Sequence, residues 1–169
     1  MITKSAVRTG TYAIDTKRSQ VRFRATHFFG LGPVTGTFTV RDGTITVTPE
    51  GAEVTARVAA DSFTTDKARR DADVKSKRFL HAEAHPDLLF TGRHLTRDGD
   101  RWLLHGRLTV RGTTAPVTLE LESATAGADG CRFRARTRVD RYAYKVGIRG
   151  IVSRFLDVDF DILGTPTAR

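Results

Sequence analysis

The sequence is poor in the residues and segments that would place it in several common classes of protein. Cys131 is the only cysteine among 169 residues, so an internal disulfide is excluded and a reducing compartment is favoured. No run of about 18 apolar residues occurs, so we predict no membrane-spanning helix. Residues 1–15 lack the apolar core of a secretion signal. Together these absences predict a cytoplasmic protein.

The motifs of common catalytic and metal centres are also missing. The chain has no glycine-rich phosphate loop, no paired cysteines of a zinc site and no G-x-S-x-G turn. His81 and His85 flank Glu83 at a spacing found among metal ligands, but Pro86 and the lack of a helical apolar stripe argue against a site there. Cys131 has no base beside it and is a poor candidate nucleophile. We therefore predict a non-catalytic protein without a metal or cofactor.

The composition that remains is that of one folded domain. Charged residues make up 28% of the chain and hydrophobic residues 39%, which is typical of globular proteins rather than disordered ones. A chain of 169 residues is long enough for a core of its own. We predict a single domain over residues 11–164, with a flexible leader at 1–10 and a short tail at 165–169.

The clearest structural pattern is the alternation of apolar and polar residues over positions 102–122. A period of two is typical of strands with one buried and one exposed face. The alternation is interrupted once, around Thr113 and Thr114. We predict a β-hairpin that turns at these two residues and sets Leu108 opposite Leu119. The other strands are expected to close around the apolar face of this hairpin.

Similar alternating stretches recur along the chain at short intervals. Nine or ten such stretches with turns between them are typical of antiparallel barrels. Residues 41–44 predict a tight hairpin turn, and residues 66–80 predict a short helical insertion. We predict an all-β fold, an antiparallel β-barrel of about eight strands. A barrel of that size either fills with side chains or holds one small ligand.

The net charge of +9 raises the question of an anionic partner. Arginines alternate along residues 132–138, and aspartates alternate along residues 157–161. Antiparallel pairing of these strands sets Arg134 opposite Asp161, Arg136 opposite Asp159 and Arg138 opposite Asp157, and the hairpin pairs Arg107 with Glu120. Such pairing leaves little field for nucleic acid. The remaining positive charge lies in residues 67–78, as a solvated helix face or as a basic collar that meets an anionic membrane.

Several short stretches occur in a recognisable order along most of the chain. They are Tyr12-Ala13-Ile14-Asp15, Ser19, Val21, Phe23, His27, Gly36-Thr37-Phe38, Asp71, Ser76, Phe79, Pro86, Phe90 and the run Gly106–Val117. In this order they resemble the YceI-like family of small lipocalin-like β-barrels that bind polyisoprenoid lipids. The last quarter departs from the family pattern. Asp140-Arg141 resembles a position that an aromatic-glycine pair usually follows, but here the segment Tyr142–Gly147 intervenes. The resemblance implies a lumen that takes a long isoprenoid chain, such as a quinone tail or a polyprenyl phosphate.

The resemblance also directs attention to the residues that would contact such a ligand. We predict that the wall of the lumen consists of the inward-facing residues Phe23, Phe38, Val54, Val58, Phe90, Leu104, Leu108, Leu119, Phe133 and Phe160. His27 ends a strand beside the apolar loop of residues 28–33, and we predict that His27 and His85 lie at the mouth. A structural role for His27, in which it satisfies backbone groups of that loop, stays open.

Carriage or storage of an isoprenoid lipid is the function that we favour, and two alternatives use the same features differently. In the first, an enzyme acts on a lipid-like substrate with His27 as acid or base, although the sequence shows no second titratable group beside it. In the second, residues 67–78 bind nucleic acid or an anionic membrane surface. We predict no nucleic-acid partner. An anionic membrane as a second partner and a homodimer both stay open.

Overall fold

The structure, a computed structural model, describes residues 7–27, 32–65, 67–127, 130–147 and 152–167. Within these ranges one α-helix, α1, spans Ala68–Lys75, and 3₁₀ turns span Ala60–Ser62 and Arg141–Tyr144. The strands in chain order are β1 (Gly10–Ile14), β2 (Gln20–Ala25), β3 (Val34–Phe38), β4 (Val40–Val47), β5 (Ala52–Ala59), β6 (Asp87–Asp98), β7 (Arg101–Val110), β8 (Thr113–Gly127), β9 (Gly130–Asp140) and β10 (Phe155–Pro166).

Eight of these strands close into an antiparallel barrel. The order around the barrel is β1-β4-β5-β6-β7-β8-β9-β10, and β10 pairs with β1 to complete the ring. The remaining two strands prolong it, because β2 pairs with β10 beyond the end of β1, and β3 pairs with β2. The predicted antiparallel barrel of about eight strands with a short helix within residues 66–80 is confirmed.

The β7–β8 hairpin turns earlier than its sequence predicts. Arg111 and Gly112 form a two-residue turn with φ angles of 51° and 76°. Two consecutive residues with positive φ match the right-handed twist of the flanking strands, which is why such turns close short hairpins. Thr113 and Thr114, predicted as the turn, are the first residues of β8.

This turn changes the register of the hairpin but not its faces. Leu119 lies opposite Leu104 rather than Leu108, and Arg107 lies opposite Pro116 rather than Glu120. The predicted register is therefore wrong. The shift is by an even number of residues, so every side chain keeps its predicted side of the sheet.

The hairpin turn predicted at residues 41–44 is also wrong. Strand β4 runs straight through these residues and pairs with β5, with Asp42 opposite Arg57 and Gly43 opposite Ala56 after a local register shift. Gly43 is needed for packing rather than for a turn, because a β-carbon there would lie 2.4 Å from Ile14 Cδ1.

Residues 60–65 and 67–86 cover one end of the barrel and form what we call the cap. Val74, Phe79 and Leu80 turn inward from the cap and are buried. The carboxylate of Asp71 holds the segment before α1 in place, since it accepts hydrogen bonds from the Thr65 amide at 3.0 Å and the Thr65 hydroxyl at 2.6 Å. The cap therefore closes this end of the barrel with Val74 of α1 and with Phe79 and Leu80, which follow the helix.

The segments predicted as leader and tail lie only partly within the described residues. Val7 is 7% exposed and packs with Tyr12 and Ile14, and β1 starts at Gly10. At the other terminus Pro166 pairs with Tyr12 in the barrel. Residues 1–6 and 168–169 lie outside the described residues.

The predicted arginine–aspartate ladder is present between β9 and β10. Arg134, Arg136 and Arg138 lie opposite Asp161, Asp159 and Asp157. Arg138 Nε lies 3.1 Å from Asp157 Oδ1, and Arg132 Nε lies 2.8 Å from Asp161 Oδ1. The arginine row is therefore matched by carboxylates on the neighbouring strand.

Candidate ligand-binding site

Alternation along the strands turns apolar side chains inward, and they leave two cavities. The first, which we call the cap cavity, has a volume of about 170 Å³ and lies under Val74, Phe79 and Leu80 of the cap. The second, the base cavity, has a volume of about 110 Å³ and lies deeper in the barrel, against residues that include Ile14 and Ile45. The interior is therefore not completely filled by side chains.

Five residues line both cavities, and we call this ring the waist. It consists of Val21, Val58, Phe90, Leu119 and Phe160. Each comes from a different strand, so the ring surrounds the lumen from several sides. The two cavities are thus neighbouring parts of one apolar lumen, narrowed by side chains.

All ten apolar residues predicted for the wall line one of these cavities. Phe23, Phe38 and Leu108 line the cap cavity. Val54, Leu104 and Phe133 line the base cavity. The other four, Val58, Phe90, Leu119 and Phe160, belong to the waist. The structure thus brings these ten residues together around the lumen.

An aromatic cluster forms part of the wall of the cap cavity. The ring of Phe63, from the cap, lies 5.1 Å from the ring of Phe23 and 5.3 Å from that of Phe38, measured between centroids. These are ordinary distances for tilted aromatic pairs. Phe63 is 2% exposed, and sequence alternation alone did not assign it to the lumen because it lies outside a strand.

Arg141 brings a positive charge to the cap cavity, and the sequence analysis did not identify it. It is 3% exposed, and its guanidinium donates to the carbonyl oxygens of Ser153, Val146 and Val152 at 2.9, 2.8 and 2.6 Å. Burial lowers the pKa of Arg141, although an arginine stays protonated at neutral pH. The departure from the family pattern after Asp140-Arg141 singled out this segment, but the sequence did not predict that the Arg141 side chain is buried.

Tyr144 is the second polar group of this region. It lines the cap cavity, is 3% exposed, and its hydroxyl lies 3.5 Å from the carbonyl oxygen of Ala115 on β8. Burial raises the pKa of Tyr144, so the phenol remains neutral. Arg141, Tyr144 and Thr137 are therefore the hydrogen-bonding side chains that line the cap cavity.

The two histidines predicted for the mouth line neither cavity. His27 is exposed, and its backbone is held by Ser153, whose Oγ accepts from the His27 amide at 2.9 Å. His85 lies beside the β7–β8 turn, where a β-carbon on Gly112 would be 3.3 Å from His85 Cε1. Residues 28–31 of the apolar loop next to His27 lie outside the described residues, so ligand contact by these histidines stays a prediction.

The basic segment of residues 67–78 forms the outer side of the cap. Lys67, Arg69, Lys77 and Arg78 are exposed, whereas Arg70 is buried and donates from Nε to the Thr65 hydroxyl at 3.3 Å. The cap thus combines the basic outer surface of this segment with the apolar side chains of Val74, Phe79 and Leu80 over the cap cavity. Within the described residues no cluster of three potential metal ligands occurs.

The fold and the lumen together define a class of protein, the lipocalin-like closed β-barrels with an apolar interior. A profile of the YceI-like domain matches residues 12–163, nearly the whole barrel. The chain belongs to the YceI-like family.

Curated relatives agree with this assignment. The proteins YceI of Salmonella arizonae and Salmonella enteritidis are each 34% identical over 123 residues, which is 70% of this chain. The match spans 64% of the length of those relatives.

Solved structures share the fold at low sequence identity. BcnA of Burkholderia cenocepacia superposes with a TM-score of 0.77 at 18% identity, over 90% of this chain and 99% of BcnA. A polyisoprenoid-binding domain from Saccharophagus degradans, implicated in plant cell wall breakdown, superposes with a TM-score of 0.67 at 13% identity, over 95% of this chain and 100% of that domain.

Proposed function

We propose that this protein binds a long apolar isoprenoid lipid, of the quinone or polyprenyl type, in the barrel lumen for carriage or storage. The observation that carries the proposal is the pair of neighbouring apolar cavities that share the residues of the waist. Membership of the YceI-like family supports it, as does the likeness to a structure described as a polyisoprenoid-binding domain. A chain of methyl-branched carbons matches a lumen whose lining is almost entirely apolar.

The size of the lumen requires that a ligand move some side chains. Each cavity is smaller than the roughly 300–1,000 Å³ typical of pockets for small molecules. The cap cavity has about 170 Å³ and the base cavity about 110 Å³. Rotation of waist residues such as Val58, Phe90 and Phe160 would join the cavities into one tunnel. Each buried methylene contributes about 0.8 kcal/mol, so a few isoprene units offset this rearrangement.

Uptake of lipid by the purified protein tests the proposal directly. We expect native mass spectrometry of the freshly purified chain to show a bound isoprenoid, and the delipidated chain to take up a quinone or polyprenol. Val58→Phe puts a ring into the waist and should reduce uptake at least tenfold. Thr55→Phe places the same ring on the outer face of β5 and should leave uptake unchanged. No bound lipid and no uptake by the unaltered chain would contradict the proposal.

The proposed function needs no catalysis. The enzyme alternative relies on His27, but the side chain is exposed and lines neither cavity, and its Nδ1 lies 3.4 Å from the Ser153 hydroxyl. His27→Ala distinguishes the two: a carrier keeps its lipid uptake and shows no turnover before or after the substitution. Conversion of a bound lipid that is lost in this variant would favour the enzyme.

The cap further supports an anionic membrane as the donor or acceptor of the lipid. Its basic outer surface lies directly over the apolar side chains that close the cap cavity. Basic residues near an anionic bilayer each contribute on the order of 1 kcal/mol. We expect binding to vesicles that contain anionic lipid, and loss of most of it in Lys77→Glu/Arg78→Glu. Arg93→Glu/Arg107→Glu, which reverses two exposed charges on β6 and β7 away from the cap, is the matched control. Equal binding to neutral vesicles would contradict this part of the proposal.

Location and oligomeric state are separate matters. Among the described residues no helix is long and apolar enough to cross a membrane. The cytoplasmic location and the homodimer remain predictions, which cell fractionation and sedimentation analysis would test.

A further inference from the structure

One gap in the ladders of the barrel wall lies between β8 and β9. The ladder between these strands runs from Gly127–Gly130 as far as Glu120–Arg136 and stops there. Beyond it no ladder pair joins the described residues 113–119 of β8 to residues 137–140 of β9. We call this gap the seam.

Each strand at the seam remains paired on its other side. Residues 113–119 of β8 continue their ladder with β7, and residues 137–140 of β9 continue theirs with β10. The β7–β8 hairpin and the β9–β10 pair therefore diverge beyond the Glu120–Arg136 pair. A side-chain hydrogen bond crosses the base of the seam, from the Thr137 hydroxyl to the Thr118 carbonyl at 2.6 Å.

The sequence of β8 is suited to an unpaired edge. In an antiparallel ladder alternate residues direct their N–H groups to opposite neighbours. Counting from the two-residue turn, the N–H of position 116 would point towards β9, and this position is Pro116, which has no N–H. A proline is tolerated at an edge and not in a fully paired central strand.

The seam lies between the lumen and a groove on the outside of the barrel. A groove of about 860 Å³ lies on the outer surface over β8, β9 and β10. Five residues line both this groove and the cap cavity: Val117, Thr137, Val139, Tyr144 and Val158. These five side chains therefore border both spaces, the outer groove on one side and the cap cavity on the other.

The groove carries charges of both signs. Three arginines and four carboxylates line it, and Arg138 Nε lies 3.1 Å from Asp157 Oδ1 while Arg136 Nη2 lies 3.7 Å from Glu120 Oε1. The arginines are thus largely neutralised by acids. Such a surface offers hydrogen bonds but little attraction for a phosphate.

We propose that the lipid chain crosses the barrel wall at the seam, between Val117 and Val139, and that its polar head remains in the outer groove. This proposal rests on the proposed function. The charge balance of the groove favours an isoprenoid with an uncharged polar head, a quinone ring or an alcohol, over a polyprenyl phosphate.

A cross-link across the seam tests the route. In a Cys131→Ala background, Val117→Cys/Val139→Cys would be oxidised to a disulfide after delipidation, and uptake of an isoprenoid quinone followed over time. We expect uptake to slow at least tenfold and to recover on reduction. The control is Thr109→Cys/Thr114→Cys, which links β7 to β8 where the two hydroxyls lie 2.6 Å apart, and should not change the rate.

A single variant gives an independent measurement that does not depend on cross-linking. The thiol introduced by Val117→Cys should react with a water-soluble maleimide and be protected at least fivefold by bound quinone. The thiol introduced by Leu119→Cys, in the waist, should react much more slowly in both states.

The outcomes separate this proposal from the proposed function. Failure of the unaltered chain to take up lipid would count against the function. Normal uptake by the cross-linked variant, or equal maleimide labelling of Val117→Cys with and without bound quinone, would overturn the seam as the route. Tighter binding of polyprenyl phosphate than of polyprenol would overturn the assignment of the head group.

Discussion

Two glycines face each other in the middle of the sheet, Gly92 on β6 and Gly106 on β7. The backbones approach closely here, beside a local register shift between Gly92 and His94. A β-carbon on Gly106 would lie 2.3 Å from the Thr91 carbonyl oxygen, a backbone atom that cannot swing away. A strand glycine often marks a place where another backbone comes close, and here that backbone is the Thr91 carbonyl group.

Gly106→Ala should therefore destabilise the barrel although alanine is a better strand residue in general. We expect a loss of about 2–3 kcal/mol in the free energy of unfolding, the usual cost of overpacking a tight site. Chemical denaturation measures it. Gly127→Ala, also on a strand but with no atom within 4 Å of the position its methyl group would take, should change the value by less than about 0.5 kcal/mol. Equal losses in the two variants would show that the close approach of the Thr91 carbonyl is not the cause of the destabilisation.

Cys131 should be inert in the folded protein. It is 5% exposed, its Sγ lies 3.8 Å from the Gly164 carbonyl oxygen, and burial raises the pKa of its thiol to about 11. The thiolate is the reactive form, so at pH 8 only about one molecule in a thousand carries it. We expect reaction with Ellman's reagent to be at least a hundredfold faster in denaturant. Rapid labelling of the native chain would contradict this.

At the scale of elements, β10 carries its acidic residues between arginine-bearing strands. Asp157 and Asp159 lie opposite Arg24 and Arg22 of β2 on one side and opposite arginines of β9 on the other. The hydrogen bond from Arg132 holds the pKa of Asp161 below its usual value. The acidic residues of β10 thus lie opposite arginines on both sides, which accounts for much of the basic composition without a nucleic acid.

The lowered pKa of Asp161 implies a dependence of stability on pH. The ionised Asp161 stabilises the folded protein fully above the pKa of about 4 that it has in the unfolded chain. This stabilisation is lost as the pH falls through the lower pKa that Asp161 has in the folded protein. The pair is partly exposed, so we expect less than about 1 kcal/mol. Asp161→Asn should lower the melting temperature at pH 7 and have little effect near pH 2.

A neighbouring carboxylate provides the control for that measurement. Asp159 lies on the same strand, and among the described residues no ion pair within 4.0 Å involves it. Asp159→Asn should shift the melting temperature at pH 7 less than Asp161→Asn does. The reverse order would mean that the Arg132 hydrogen bond is not the cause of the pH dependence.

At the scale of the whole molecule, the lumen links stability to ligand. A ligand that binds only the folded barrel stabilises it by about 2.7 kcal/mol at a hundred times its dissociation constant. For a chain of this size we expect the melting temperature to rise by about 5 °C or more when a saturating isoprenoid is added to the delipidated protein. Differential scanning calorimetry measures this shift. Val58→Phe should abolish most of it, whereas Thr55→Phe should retain it.

The sequence by itself determined which face of each strand is inside. The alternation assigned all ten predicted wall residues to the lumen, and it placed the arginines of β9 opposite the aspartates of β10. These assignments depend on a period of two, which any strand must obey. The side of the sheet assigned to each residue is therefore correct even in the β7–β8 hairpin, where the predicted register is wrong.

Only the tertiary structure decided the register, the cap and the seam. The turn lies two residues earlier than predicted and the cross-strand partners differ by four residues, which leaves both faces of the hairpin unchanged. The alternation therefore could not choose between the two turns, and the positive φ angles of Arg111 and Gly112 decided it. The burial of Arg141 depends on the carbonyl groups of Val146, Val152 and Ser153, which accept hydrogen bonds from its guanidinium in place of water. The seam exists because β8 and β9 diverge beyond Glu120, and such a divergence depends on contacts between segments distant in sequence.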